Sequence, residues 1–193
     1  MKVIFYKNSR YMAKFRSLSI ILLIFLLECK TYYKELKVFP ENLKQVFIEN
    51  FSNQTFEPYI HLELTDVLKQ KFHTRNTLIL TKEPDNTKYI LKGKVILFRR
   101  EVLLYTNELE PTHYKIDMVV EIYINKKNQT LLKEEVYDSI RYSLKEGAIE
   151  NDFQARRRLY ERISQKILYH LEKTILEDLK GTIDENSRDN TTR

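Results

Sequence analysis

The chain has 193 residues, one cysteine, no tryptophan, three glycines and four prolines. A single cysteine rules out an intramolecular disulfide and a thiolate metal cage, so the folded part must hold by its core alone. Three glycines could hardly supply a phosphate cradle, and no GxSxG, HExxH, P-loop or GxGxxG pattern occurs. The four histidines, His61, His73, His113 and His170, have no metal-ligand spacing. Nothing here nominates convergent catalytic groups, a metal site or a cofactor, and the expectation is a protein that is not an enzyme. Beyond one short stretch near the N-terminus there is no long apolar run. The remainder can be tethered to a membrane but not threaded through it as a helix.

That stretch is Leu18–Leu27, LSIILLIFLL, with Ser19 its single polar residue. Lys2, Lys7, Arg10, Lys14 and Arg16 precede it without an acidic residue, and Glu28 and Cys29 follow. A basic n-region, a short apolar h-region and an abrupt end define a secretory signal over residues 1–28. Ten residues rise about 15 Å as a helix, half of the roughly 30 Å a membrane span requires. Leu26-Leu27-Glu28-Cys29 resembles a bacterial lipobox at Leu26 and Cys29 and departs from it at Glu28, where lipoboxes carry Gly, Ala or Ser. The resemblance implies lipidation of Cys29, and hence a membrane attachment through the lipid.

Removal of residues 1–28 leaves 165 residues, enough for one domain with a real core. The formal charge of +6 falls to +2, because the leader holds five of the basic side chains and one acidic one. A net of +2 does not argue for nucleic acid.

Residues 29–43 read as the lipidated cysteine and a tether. Gln45–Phe51 (QVFIENF) suits a strand, and Ser52–Thr55 reads as a polar break. Pro58 opens a helix whose apolar residues Ile60, Leu64, Val67, Leu68 and Phe72 share one face. Thr77–Thr81 is a short β run. A long β segment follows from Tyr89 to Tyr105, partly apolar on both faces. Ile116, Met118, Val120, Ile122 and Ile124 alternate with polar residues, as expected of a half-buried antiparallel strand. Lys126–Gln129 reads as a hairpin turn and Leu131–Tyr142 as the returning strand. From Ile149 a helix of about thirty residues carries Phe153, Tyr160, Ile163, Ile167, Leu171 and Ile175 inward, with Glu172 among the solvent-side residues. Gly181 reads as its stop and 181–193 as a disordered tail. The expected fold is α+β: a two-layer sandwich, with a mixed, mostly antiparallel sheet of four to five strands covered by two helices over residues 44–180.

The basic pairs Arg99-Arg100 and Lys126-Lys127, together with Lys92 and Lys94, are candidates for gripping phosphate groups. Thirteen tyrosines supply amphipathic side chains suited to an interface.

The cysteine, the phrase FSNQTFEPYIHLELTDVLKQKF (51–72), YILKGKVILF (89–98), the β-hairpin and ARRRLYERISQKILYHL (155–171) together resemble the LPS-assembly lipoprotein family, LptE. The resemblance spans roughly Lys44 to Leu179. It implies an outer-membrane lipoprotein on the periplasmic side that plugs a large β-barrel, LptD, and helps deliver lipopolysaccharide to the outer leaflet. Lys92, Lys94, Arg99, Arg100, Lys126 and Lys127 would then be candidate contacts for lipopolysaccharide. The strand–helix opening also suits a lipoprotein activator of a cell-wall synthase, but only about fifteen residues separate Cys29 from the first strand. They reach at most roughly 50 Å, short for crossing the periplasm.

Overall fold

The computed structural model describes residues 40–189 except 76, 86, 128 and 145–150, with side chains as far as residue 182. Cys29, the signal segment, the tether before Pro40 and Ile149 therefore lie outside the described residues. The elements are a one-turn 3-10 helix (Glu41–Leu43), β1 (Gln45–Ile48), β2 (Ser52–Asn53), α1 (Ile60–Arg75), β3 (Ile79–Leu80), β4 (Tyr89–Tyr105), β5 (Pro111–Lys126), β6 (Gln129–Ser143) and α2 (Asp152–Asp189).

The architecture is α+β, two helices against a mixed sheet in the order β3–β1–β4–β5–β6, with β2 also paired to β4. β1 runs parallel to both β3 and β4, and β4, β5 and β6 form an antiparallel meander. The sheet has six strands, not four or five. The extra one is β2, two residues in the stretch that reads as a polar break. It is too short to show any periodicity, and its pairing with Lys94 and Val95 comes from 42 residues away.

Alternation carries β5 into the core as expected, with Ile116, Met118, Val120, Ile122 and Ile124 all buried. β4 explains its own ambiguous pattern. Its register shifts between Val95 and Leu97, and one extra residue reverses which parity faces inward. Tyr89, Leu91 and Val95 are buried, whereas Leu97 turns out to solvent and Phe98 turns in beneath Arg156 of α2. Gly93 lies before this shift, and a Cβ there would overlap the ring of buried Phe51. Only glycine lets β4 pass that close.

α1 starts where Tyr59 adopts φ 62° and its carbonyl accepts from the N–H groups of Leu62 and Glu63. Ile60, Leu64, Leu68 and Phe72 face the core. On α2, Tyr160, Ile163, Ile167, Leu171 and Ile175 are buried, each worth about 1.5–3 kcal/mol of transfer free energy. Three expectations for this helix fail. Phe153 is 67% exposed, and Glu172 is buried, because the end of α1 and the connection after it bring Arg75 and Thr77 to its carboxylate at 2.8 and 2.7 Å. Gly181 does not stop the helix either, which continues to Asp189. One glycine costs a helix only about 1 kcal/mol, and the Thr182 hydroxyl donates back to the Asp178 carbonyl across this turn.

Candidate functional site

The two ends of the sheet have opposite characters. At one end, called proximal because Pro40 leads into β1 there, Val46 pairs with Tyr89 and Tyr89 with Lys126. Lys126 Nζ donates to both Asp178 carboxylate oxygens at 2.7 and 2.8 Å, and the Tyr89 hydroxyl donates to the same group at 2.7 Å. Burial together with Asp178 pushes the Tyr89 hydroxyl far above the usual phenol range. Burial opposes ionisation of Asp178, but its bonds from Lys126 and Tyr89 hold its carboxyl below the ordinary range.

The sheet face turned away from the helices carries two carboxylates, each with several partners. Asp117, only 2% exposed, takes Lys115 at 2.8 Å, Tyr137 at 2.9 Å and Arg99 at 3.2 Å. Its burial works against the charge, and these three donors more than offset it. Glu121 accepts from the Tyr123 hydroxyl at 2.5 Å and pairs with Lys133 at 2.8 Å and Lys94 at 3.6 Å. The Lys133 hydrogen bond is the main reason its carboxyl sits at about 2.

The distal end lies roughly 50 Å away, the length of a 17-residue strand. Here Tyr114 and Tyr142 stack with centroids 5.3 Å apart, and the Arg100 guanidinium lies 4.3 Å over Tyr114. Asp152, opening α2, accepts from Tyr142 and from Arg156 and lies 3.7 Å from Arg100. Arg156 also reaches Glu57 at 2.5 Å, tying the loop before α1 to the same end. Between α1 and α2 a cleft of about 180 Å³ opens there, lined by Val67, Phe153 and Tyr160 with Glu63 and Arg156 at its wall.

Around this end the large apolar side chains are exposed. The β4–β5 hairpin contributes Val102, Leu103, Leu104, Tyr105 and Leu109, the last 80% exposed; Leu144 and Phe153 flank it. The loop into α1 adds Phe56 and Tyr59, and the first turn of α1 adds Leu62. Exposed large apolar side chains elsewhere among the described residues are Leu97, Tyr137 and Tyr169. Ten apolar groups concentrated at one end exceed what scattered surface exposure explains, and such a patch marks a contact surface.

The six candidate cations do not converge. Lys92, Lys94 and Arg99 are on the helix-free face, where Lys92 pairs with Glu49 at 3.1 Å. Arg99 pairs with Glu101 at 3.0 Å as well as with Asp117. Arg100 points to the helix side at the distal end. Lys126 is held by Asp178, and Lys127, at the hairpin tip with φ 54°, has no carboxylate partner among the described residues. Tyr114, Tyr142, Asp152 and the apolar tip were not singled out in the sequence. One signal was there: Val102–Tyr105 is four apolar residues in a row, which a period-2 strand cannot turn to one side. No group of His, Cys, Asp and Glu suited to a metal occurs among the described residues. No described helix is long and apolar enough to cross a membrane.

The model of one protein family, described as LptE, lipopolysaccharide-assembly, matches residues 43–171. That match runs from the turn before β1 through about half of α2, two thirds of the chain. This chain belongs to the LptE family. The role of an LptE-family member lies in lipopolysaccharide assembly. Among solved structures, a protein from Xanthomonas campestris is similar with a TM-score of 0.50 at 10% identity, covering 75% of this chain and 91% of its own. A hypothetical protein from Chlamydia trachomatis gives a TM-score of 0.49 at 10% identity, covering 68% and 96%. The rare lipoprotein B of Shewanella oneidensis gives 0.36 at 12% identity, covering 74% and 98%. Likeness at such identities bears on the fold alone. Comparison with curated proteins gives no match in sequence.

Proposed function

We propose that this LptE-family chain is an outer-membrane lipoprotein, anchored through Cys29 on the periplasmic side, that plugs an LptD-like β-barrel and helps pass lipopolysaccharide to the outer leaflet. The observation that carries this reading is the family match over residues 43–171. The distal end supports it physically. A lipid A molecule presents acyl chains and phosphates together, and this end presents exposed leucines and aromatics beside Arg99 and Arg100.

In this reading the protein is a scaffold, not a catalyst. Covering Leu103, Leu104 and Leu109 with acyl chains or with the barrel wall removes apolar surface from water, at about 25 cal/mol per Å². Arg99 is 57% exposed, so its pairs with Glu101 and Asp117 are screened and weak enough to yield to a phosphate. Lys92 and Lys94, nearer the middle of β4, would meet a ligand only if it extended along the helix-free face. Lys126 and Lys127 lie at the other end of the domain.

The test is a gentle detergent pull-down of the tagged full-length protein from membranes. The expected result is a large β-barrel in near-equal amount, with lipopolysaccharide retained. Recovery of a cell-wall synthase in its place, or of no stable partner, would overturn the plug.

A further inference from the structure

The two edges of the sheet are finished differently. On one side β3 is only two residues long, too short to template another strand. On the other, β6 runs for 15 residues and ends the sheet among the described residues. An edge of that length presents a row of N–H and C=O groups on which a further strand can pair.

The Leu144 N–H donates to the Thr112 carbonyl, which puts even-numbered residues of β5 and β6 in the bonded pairs, from Tyr114–Tyr142 to Ile122–Glu134. The odd-numbered residues of β6 therefore turn their backbone groups outward. Tyr137 and Ser139 stand in the middle of this outward row, and side chains already engage both. Lys166 of α2 donates to the Tyr137 carbonyl at 2.7 Å, and the Ser139 N–H donates to Asp138 Oδ1 at 2.7 Å. The Asp138 carboxylate is buried on the helix side. Arg162 holds it at 2.7 Å, and Lys166 lies 3.1 Å from its other oxygen. Arg162 and Lys166 are four apart on α2 and so reach the strand from one helix face.

A strand arriving at β6 must displace Lys166 from one ladder group and Asp138 from the next. A second copy laid antiparallel, with Glu135 opposite Arg141 on both sides of the axis, sets Tyr137 against Ser139 and Asp138 against Asp138. The bonds that this register needs are taken, and two carboxylates meet. Inward-pointing charge on an edge strand is one of the ways in which sheets avoid such pairing.

We propose that Asp138, Arg162 and Lys166 form a guard that closes the middle of the β6 edge and keeps the domain from pairing there with a second copy of itself. The guard stands on the fold and does not depend on the partner proposed above.

The experiment follows amide hydrogen exchange at single-residue resolution in the full-length chain in detergent, dilute and concentrated. In the unaltered chain the outward amides of Glu135, Tyr137 and Arg141 should exchange at the same fast rate at both concentrations. Asp138→Val with Lys166→Met removes both caps and replaces a buried charged pair by apolar groups, which such sites tolerate, while half-exposed Arg162 stays in water. In that double variant the outward amides should slow about fivefold on concentration, the scale of one net hydrogen bond. Unchanged exchange, with the Val136 and Ile140 amides still protected, would overturn the guard. Outward amides protected in the unaltered chain at every concentration would overturn it too, because another segment would then cover the edge. If the double variant unfolds, Lys166→Met alone decides, since it alters a half-exposed side chain and frees the Tyr137 carbonyl. It should slow the outward amides about twofold on concentration, and no slowing would overturn the guard.

Discussion

The two ends of this domain handle polar and apolar groups in opposite ways. At the proximal end buried polar groups are closed off: Glu172 is taken by Arg75 and Thr77, and Asp178 by Lys126 and Tyr89. The distal end ties its own ring of Tyr142, Asp152, Arg156 and Glu57, yet leaves leucines and aromatics in water around it. Paired buried charges contribute geometry more than net free energy, since desolvation offsets much of their attraction. Apolar groups left exposed contribute little to folding, and in the proposed reading they serve contact. On that reading stability and recognition are separated along one long strand.

The contrast can be broken hardest at Glu172. Glu172→Ala removes one partner of Arg75 and the acceptor of Thr77, and should cost about 2 kcal/mol in chemical denaturation. A loss near zero would mean that this pair does not hold the end of α1 against α2. A triple change of Leu103, Leu104 and Leu109 to Ser should instead move stability by no more than about 0.5 kcal/mol, while reducing recovery of the barrel and lipopolysaccharide in the pull-down. Full recovery would detach the apolar tip from function, and a large stability loss would erase the distinction between the ends.

The smallest effect is expected midway, at Glu121. Its folded carboxyl sits at about 2 against an ordinary value of 4.5. A depressed folded pKa contributes stability that is complete above the unfolded value and is lost as pH falls towards the folded one. Glu121→Gln should therefore flatten the pH dependence of the melting temperature between about pH 4.5 and 2. An unchanged slope there would show that Lys133 and Lys94 find no folded-state advantage in this carboxylate.

Much of the fold was legible because burial imposes a period. β5 alternates, the core faces of α1 and α2 repeat at helical spacing, and β4 begins and ends at Tyr89 and Tyr105 as its composition says. What escaped depends on register. The shift after Val95 turns Leu97 out and Phe98 in, and a single residue sets that parity. Asp138 reads as a polar strand position, but it is buried, because Arg162 and Lys166 of α2 cross over it at 2.7 and 3.1 Å. The candidate cations are a similar case. Arg99 and Arg100 are adjacent in the chain, yet alternation sends one to Asp117 on the open face and the other to Tyr114 under the helix layer.

By itself the sequence determined the class of fold, the order of nearly all its elements and the family resemblance, because periodicity and composition are local properties carried by neighbouring residues. Tertiary structure alone decided which charges are already spoken for, which leucines remain in water and which end carries each. Asp178 lies 52 residues from Lys126 and 89 from Tyr89. Contacts of that range follow from strand register and helix docking, and neither is written in any short stretch of the chain.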